Sequence, residues 1–171
     1  MAPNTRYEEG ESRLHIREIR VADDLKIGEI IRQVLIEYGA NKPGFAWQDP
    51  ELDTMTNAYQ GHDRCYLVLE HNGQLMGGGG IGPFNCHLSH TCELQKMYLL
   101  PQARGRGYGQ KLILRLCDAA IARRYAHCYL ESTSSMVEAL SLYQKVGFKA
   151  LEEPLGSSGH NACDHWLLRS L

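Results

Sequence analysis

The 171-residue chain lacks most features that would settle its class at a glance. No apolar run approaches the roughly 20 residues of a membrane-spanning helix, so no membrane partner is expected. The opening stretch MAPNTRYEEGESR has no basic-then-apolar pattern of a secretion signal, and a cytoplasmic location is expected. An excess of one charge is missing too. Lys and Arg number 18 against 20 Asp and Glu, a formal charge of -2, which leaves no strong field or basic stripe for nucleic acid. The six cysteines form no C-x-x-C pair. Most lie in apolar runs such as LRLCDAA and HCYLE, the setting of buried free thiols in a reducing compartment, not of a disulfide framework.

What remains is ordinary globular material, 43% hydrophobic and 22% charged, without repeat, linker or low-complexity segment. Residues 1–12 are polar and aperiodic and read as a flexible tail; 13–171 read as a single domain. LHIREIRV suggests a first strand. Asp23 and Asp24 are placed to cap a helix carrying Ile27, Ile30, Ile31, Val34 and Leu35 on one face, with Gly39 to stop it. A Pro- and Gly-rich loop containing Phe45 and Trp47 follows, then a short helix from Pro50 to about Tyr59. CYLVLE and QLMGGGGIG flank Asn72-Gly73, the turn of a two-residue hairpin. The glycine run 77–80 weakens a strand and is expected where another backbone or a ligand comes close. CELQKMYLL reads as a strand ended by Pro101, RGRGYGQKLILRLCDAAIARRY as a glycine turn and a long amphipathic helix. A strand, a helix stopped by Gly147 and two closing strands complete one mixed α/β domain.

The turn Arg104-Gly105-Arg106-Gly107-Tyr108-Gly109 is the sharpest signal. A strand that ends in glycines and opens a helix aims unpaired backbone N–H groups and the positive end of the helix dipole at one spot, which suits a phosphate. Arg104 and Arg106 can add charge from the rim. A tight turn that binds nothing has the same composition. Gly109 is followed by Gln110-Lys111-Leu112, which breaks the P-loop pattern, and Gln110 stands where a dinucleotide fingerprint needs its third glycine.

Arg104-x-x-Gly107-x-Gly109, after a strand and Pro101, resembles the signature of the GCN5-related N-acetyltransferases. Leu142-Tyr143-Gln144-Lys145-Val146-Gly147-Phe148 resembles a second string of that family, and the order of elements from residue 14 to 171 is also similar. The resemblance implies the acyl-CoA N-acyltransferase fold, with a mostly antiparallel mixed sheet of about seven strands and about four helices. It also implies acetyl transfer from acetyl-CoA, as co-substrate, to a primary amine of a small molecule, amino acid or peptide. On this likeness Met97, Tyr98 and Leu99 would offer backbone to the pantetheine arm, and Arg104, Gly105, Arg106, Gly107, Tyr108, Gly109 and Gln110 would hold the pyrophosphate. The family often pairs into dimers, so a homodimer is implied. Many members carry Asn where Met136 stands, and no cofactor contact is carried over to that residue.

Such a reaction needs a base for the ammonium and an acid for the leaving thiolate. Glu93 occupies a position where several members place a glutamate base, and strand alternation groups it with Gln95, Met97 and Leu99. A structural ion pair is the plainer role for it. Tyr143 is the candidate acid, with a buried core tyrosine as its plainer reading. Tyr38, Phe45 and Trp47 are read as walls of an acceptor pocket or as a small satellite core, and Glu131 as a partner for a cationic acceptor or an ordinary strand-end charge. Acceptor choice is assigned to loops 39–50 and 82–91. Cys86, His87, His90 and Cys92, like His160, Cys163 and His165, have the residue types of a zinc site without its spacing; no metal is expected, and lining of the substrate by part of the set is the alternative reading. The alternative function is a non-catalytic acyl-CoA-binding regulator on the same fold.

Overall fold

The computed structural model describes residues 13–171, and the tail expected over 1–12 lies outside the described residues. Eleven strands and α-helices run in the order β1 (Leu14–Glu18), α1 (Asp24–Glu37), α2 (Met55–Ala58), β2 (Cys65–His71), β3 (Gln74–Pro83), β4 (Thr91–Leu99), α3 (Tyr108–Ala122), β5 (His127–Ser132), α4 (Val137–Lys145), β6 (Lys149–Leu151) and β7 (His165–Ser170). The strands form one sheet in the order β1-β2-β3-β4-β5-β7-β6. Every pairing is antiparallel except β4 with β5. The mixed, mostly antiparallel sheet with four helices is the architecture that the sequence resemblance implied.

Local chemistry explains most boundaries. Asn72 and Gly73 both take positive φ (52° and 77°), the geometry of a two-residue hairpin turn whose twist matches its strands. Gly39, at φ 65°, ends α1 as read. The aspartates at the start of α1 serve differently from expectation. Asp23 accepts from the Arg20 backbone N–H and from both terminal nitrogens of Arg17, while Asp24 accepts from the Thr56 N–H and hydroxyl. They fasten the helix start to β1 and α2 instead of capping its free amides. The helix expected from Pro50 breaks into a 3₁₀ turn over Pro50–Asp53 and the single turn of α2.

The glycine run lies where neighbouring backbone and rings come close: a Cβ at Gly77 would run into the Tyr98 carbonyl and the Leu99 backbone of β4. A Cβ at Gly78 would lie 2.5 Å from the Tyr66 ring, one at Gly80 2.5 Å from Tyr59, and one at Gly79 3.0 Å from Leu116 of α3. Bare backbone lets two tyrosine rings lie flat on one face of β3 and α3 press close on the other. The two rings also pack on each other, with centroids 5.2 Å apart. All six cysteines are free, four of them buried.

Candidate active site

The site begins where two strands part. β4 and β5 pair only at Thr91↔His127, Cys92↔Cys128 and Glu93↔Tyr129, after which β5 continues beside β7 and, among the described residues, no strand lies alongside the β4 edge up to Leu99. A bulge in β4 accompanies the divergence. Gly80 faces Gln95 and Gly78 faces Tyr98, so β4 spends one residue more than β3, and Lys96 takes φ 47°. The alternation read from sequence therefore fails at this point. Glu93 and Gln95 share a face, but Met97 turns to the α3 face, 3.3 Å from the Cβ position of Gly79.

Lys96 holds this backbone in place. Its ammonium lies 2.7 Å from Asp49 and 2.9 Å from Glu51, its side chain is only 6% exposed, and its carbonyl accepts from the buried Tyr66 hydroxyl at 3.0 Å. Burial opposes the charge, yet the two carboxylates outweigh it and raise the Lys96 pKa. Asp49 also meets His160 Nε2 at 3.2 Å, which ties the loop before β7 into the same cluster.

The larger of two clefts, about 680 Å³, follows the free edge of β4 to the glycine turn. Met97, Tyr98, Leu99, Arg104, Gly105, Gly107, Gly109 and Gln110 line it on one side; Met136, Ala139, Leu142 and Tyr143 line the other. Gly105 and Gly107 have φ near 70° (69° and 75°), and nothing lies within 4 Å of a Cβ built on either. Their backbone demands glycine, and the space above them is open. α3 starts directly after Gly107 and runs 15 residues, so its first amides and its dipole face that space. Arg104 is otherwise engaged: its guanidinium forks onto Glu37 at 2.6 and 2.9 Å, lies over the Tyr38 ring and donates to the Leu99 carbonyl. It braces the turn against α1, so charge from the rim falls to other groups such as Lys145, which lines the same cleft. Arg106 is exposed and Tyr108 packs against His71; neither lines the cleft.

The second cleft, about 70 Å³, opens on the other side of the divergence and is lined by Glu93, Glu131, Phe45, His160, Cys163 and Met136, among others. Met97, Tyr98, Met136 and Tyr143 line both clefts and form the neck between them. Glu93 is 7% exposed. Its Oε2 accepts from Gln95 Nε2 at 2.7 Å, and Gln95 Oε1 accepts from the buried Tyr59 hydroxyl at 2.9 Å. Desolvation holds the Glu93 carboxyl above the usual carboxylate range, with the Gln95 bond opposing and the nearby Glu131 charge adding to the shift. Tyr143 is 8% exposed, its ring packs edge-on to Phe148, and its hydroxyl makes no hydrogen bond among the described residues. Burial pushes its pKa well up, so the phenol keeps its proton.

The structure thus brings Glu93, Tyr143, Phe45 and Glu131 to one place. Tyr38 belongs to the larger cleft, with its hydroxyl 3.2 Å from Glu138, and Trp47 packs against the core without lining either cleft. Of the two loops expected to read an acceptor, 39–50 contributes Phe45 and Ala46 to the small cleft. The 82–91 segment contributes none of its lining; its first residues belong to β3, and Phe84 stacks on Tyr129. The loop before β7 takes that part through His160 and Cys163. Sequence reasoning missed the Tyr59–Gln95 relay and the Lys96 cluster. The apolar-polar alternation of Cys92 to Gln95 breaks at the polar pair Gln95-Lys96, the one local sign of the bulge; the Tyr59 relay spans distant segments.

Comparison with known proteins accords with this geometry. The sequence model of the Acetyltransferase (GNAT) family matches residues 31–148. An uncharacterized N-acetyltransferase of Escherichia coli K12, YjgM, is 40% identical over 158 residues, covering 91% of this chain and 94% of that protein. A GNAT-family acetyltransferase from Staphylococcus aureus Mu50 superposes with a TM-score of 0.81 at 17% identity, over 92% of this chain and 99% of its own. The putative acetyltransferase YncA of Salmonella typhimurium, solved with its cofactor acetyl-CoA, superposes with a TM-score of 0.71 at 24% identity, over 93% and 94%. With most of its length matched by the family and by a 40%-identical relative, this chain belongs to the acetyltransferase (GNAT) family.

Proposed function

We propose that the protein transfers an acetyl group from acetyl-CoA to a primary amine of a small molecule, by direct attack in a ternary complex. The observation that carries the reading is the neck: a buried phenol stands where an open glycine turn and strand edge lead in from one side, and a small cleft lined by a buried carboxylate opens on the other. The larger cleft suits the co-substrate. Its glycine turn leaves room over the first amides of α3 for a pyrophosphate, and the β4 edge up to Leu99 offers unpaired backbone to an amide-bearing arm. When bound, acetyl-CoA supplies a thioester whose carbonyl carbon accepts the amine.

Glu93 then takes a proton from the ammonium, directly or through one water, on the oxygen that Gln95 leaves free. Its raised pKa brings the carboxylate closer to an amine in basicity and so makes the transfer less uphill. Burial keeps the Tyr143 phenol neutral, so it meets the departing thiolate as a hydrogen-bond donor; because an ordinary phenol near pKa ~10 is a weaker acid than a thiol near ~8.5, full proton transfer is uphill and is completed by a proton from solvent. The cytoplasm, where free thiols persist, fits the six unpaired cysteines.

The test is thiol release from acetyl-CoA across a panel of small amines, with Tyr143→Phe beside wild type. Turnover in wild type and a fall of about 10²-fold or more in the variant's kcat, with cofactor affinity kept, is the expected result. Tight acetyl-CoA binding with no amine turned over by wild type would instead make the protein a non-catalytic acyl-CoA-binding regulator.

A further inference from the structure

Charge in the small cleft narrows the acceptor. Glu93 and Tyr129 are neighbours in the parallel β4–β5 pairing, and Glu131 lies two residues further along β5, so both carboxylates project from the same face of adjacent strands. Glu131 is held by the Tyr129 hydroxyl at 2.7 Å and the Ser158 hydroxyl at 2.5 Å. A carboxylate has about four lone-pair sites, so two neutral donors leave it oriented but still charged and able to accept more. Only two basic side chains line the cleft, and both are committed: Lys96 to Asp49 and Glu51, His160 to Asp49. No unpaired lysine or arginine lines it among the described residues. The Tyr143 side chain, nine-tenths buried at the neck with its hydroxyl unbonded, marks where reacting groups meet, and Glu93 and Glu131 both line the small cleft beyond it.

We propose that the acceptor is a small molecule with two cationic nitrogen groups, one presented to Glu93 for acetylation and the other held by Glu131. An acceptor bearing a carboxylate near its amine would put a third negative charge into this cleft, with no free cation to meet it. The proposal rests on the acetyltransfer reading above but is separable from it.

Thiol release is measured with 1,4-diaminobutane, n-butylamine and 4-aminobutanoate, which share chain length and differ in the far group. One charge-assisted hydrogen bond corresponds to about 10- to 100-fold. The diamine is expected to exceed butylamine in kcat/KM by at least about tenfold on that basis, and the zwitterion to fall below butylamine. Glu131→Gln is expected to pull the diamine-to-butylamine ratio toward one through KM; its melting temperature, compared with wild type, shows that the variant is folded. A zwitterion used as well as the diamine, or a ratio that Glu131→Gln leaves unchanged, overturns the proposal. If no amine turns over, calorimetry on the CoA-loaded wild type separates the two claims. Diamine binding stronger than that of 4-aminobutanoate would keep the two-cation reading and sink the activity, and equal or absent binding would sink both.

Discussion

Replacing Lys96 with methionine keeps a long unbranched stem in the same space and removes only the ammonium. Asp49 and Glu51 then face each other across the site without their shared cation, and of the partners described here only His160 remains to Asp49. Removing one member of a fully buried ion pair costs about 3–5 kcal/mol, and an exposed pair is worth about 0–1. Lys96 is 6% exposed, but Asp49 is 19% and Glu51 32%, so water still reaches the carboxylates and the loss should sit between these limits, about 2–3 kcal/mol. A domain of this size melts about 2–4 °C lower for each kcal/mol lost, which puts the fall near ~8 °C. Because the bulge also sets the divergence of β4 from β5, the acceptor KM should rise, and the affinity for CoA, shared between the β4 edge and the turn at 104–110, should fall by a smaller factor.

The assay is thermal unfolding of Lys96→Met, Asp49→Asn and the double variant, at low and high salt. The two substitutions remove the same interaction, so the double variant should lose less than the sum. A fall below ~2 °C, fully additive losses, or a wild-type advantage that disappears in 1 M salt would show that the pair behaves as a screened surface contact, and the account of the bulge would fail.

Gly107→Asp places a side chain at φ 75° and an anion over the first amides of α3; CoA affinity measured by calorimetry should fall at least about 100-fold, and wild-type affinity would remove the turn from the cofactor site. Glu93→Gln keeps the Gln95 hydrogen bond but never charges. Burial raises the folded-state pKa of Glu93 above its unfolded value, so wild type loses stability as pH rises past the ordinary glutamate range and the variant does not. The melting temperature of the variant minus that of wild type should therefore increase from pH 4 to pH 8, while the gain in kcat/KM with pH flattens. A difference independent of pH would mean that burial does not raise the Glu93 pKa.

The parts of this structure that were legible in the sequence are those set by local rules. Asn72-Gly73 needs no tertiary context to turn a hairpin, the Ile27–Leu35 stripe needs only a helical period, and Arg104-x-x-Gly107-x-Gly109 declares an αL backbone before a helix. The misreadings all arose where a distant segment decided the outcome. The glycine run implies a close approach, but nothing nearby reveals that Tyr59 and Tyr66 are what lie across much of it. Asp23 looked like a cap because Arg17, its partner, sits on a strand that comes close only after folding. Tyr38 and Phe45, seven residues apart by number, were read together, but Tyr38 caps the end of α1 while Phe45 lies in the loop beyond it, and each lines a different cleft.

The bulge at Lys96 was the costliest of these to miss, because one displaced residue serves both halves of the site. Without it, Met97 would share the Glu93 face and the alternation read from sequence would continue down the strand. With it, Glu93 and Gln95 stay toward the small acidic cleft while Met97 swings to α3, and the β4 edge beyond them is left without a neighbouring strand among the described residues. A left-handed non-glycine residue costs about 1–3 kcal/mol and persists only where its surroundings over-determine it. Here the Tyr66 hydroxyl of β2 fixes the carbonyl, and two carboxylates from the segment before α2 fix the side chain. The acidic residues that hold the bulge are also the ones that consume the only lysine in the acceptor cleft. Backbone geometry and acceptor charge are thus set by the same contacts, and a variant that frees Lys96 should disturb the two together.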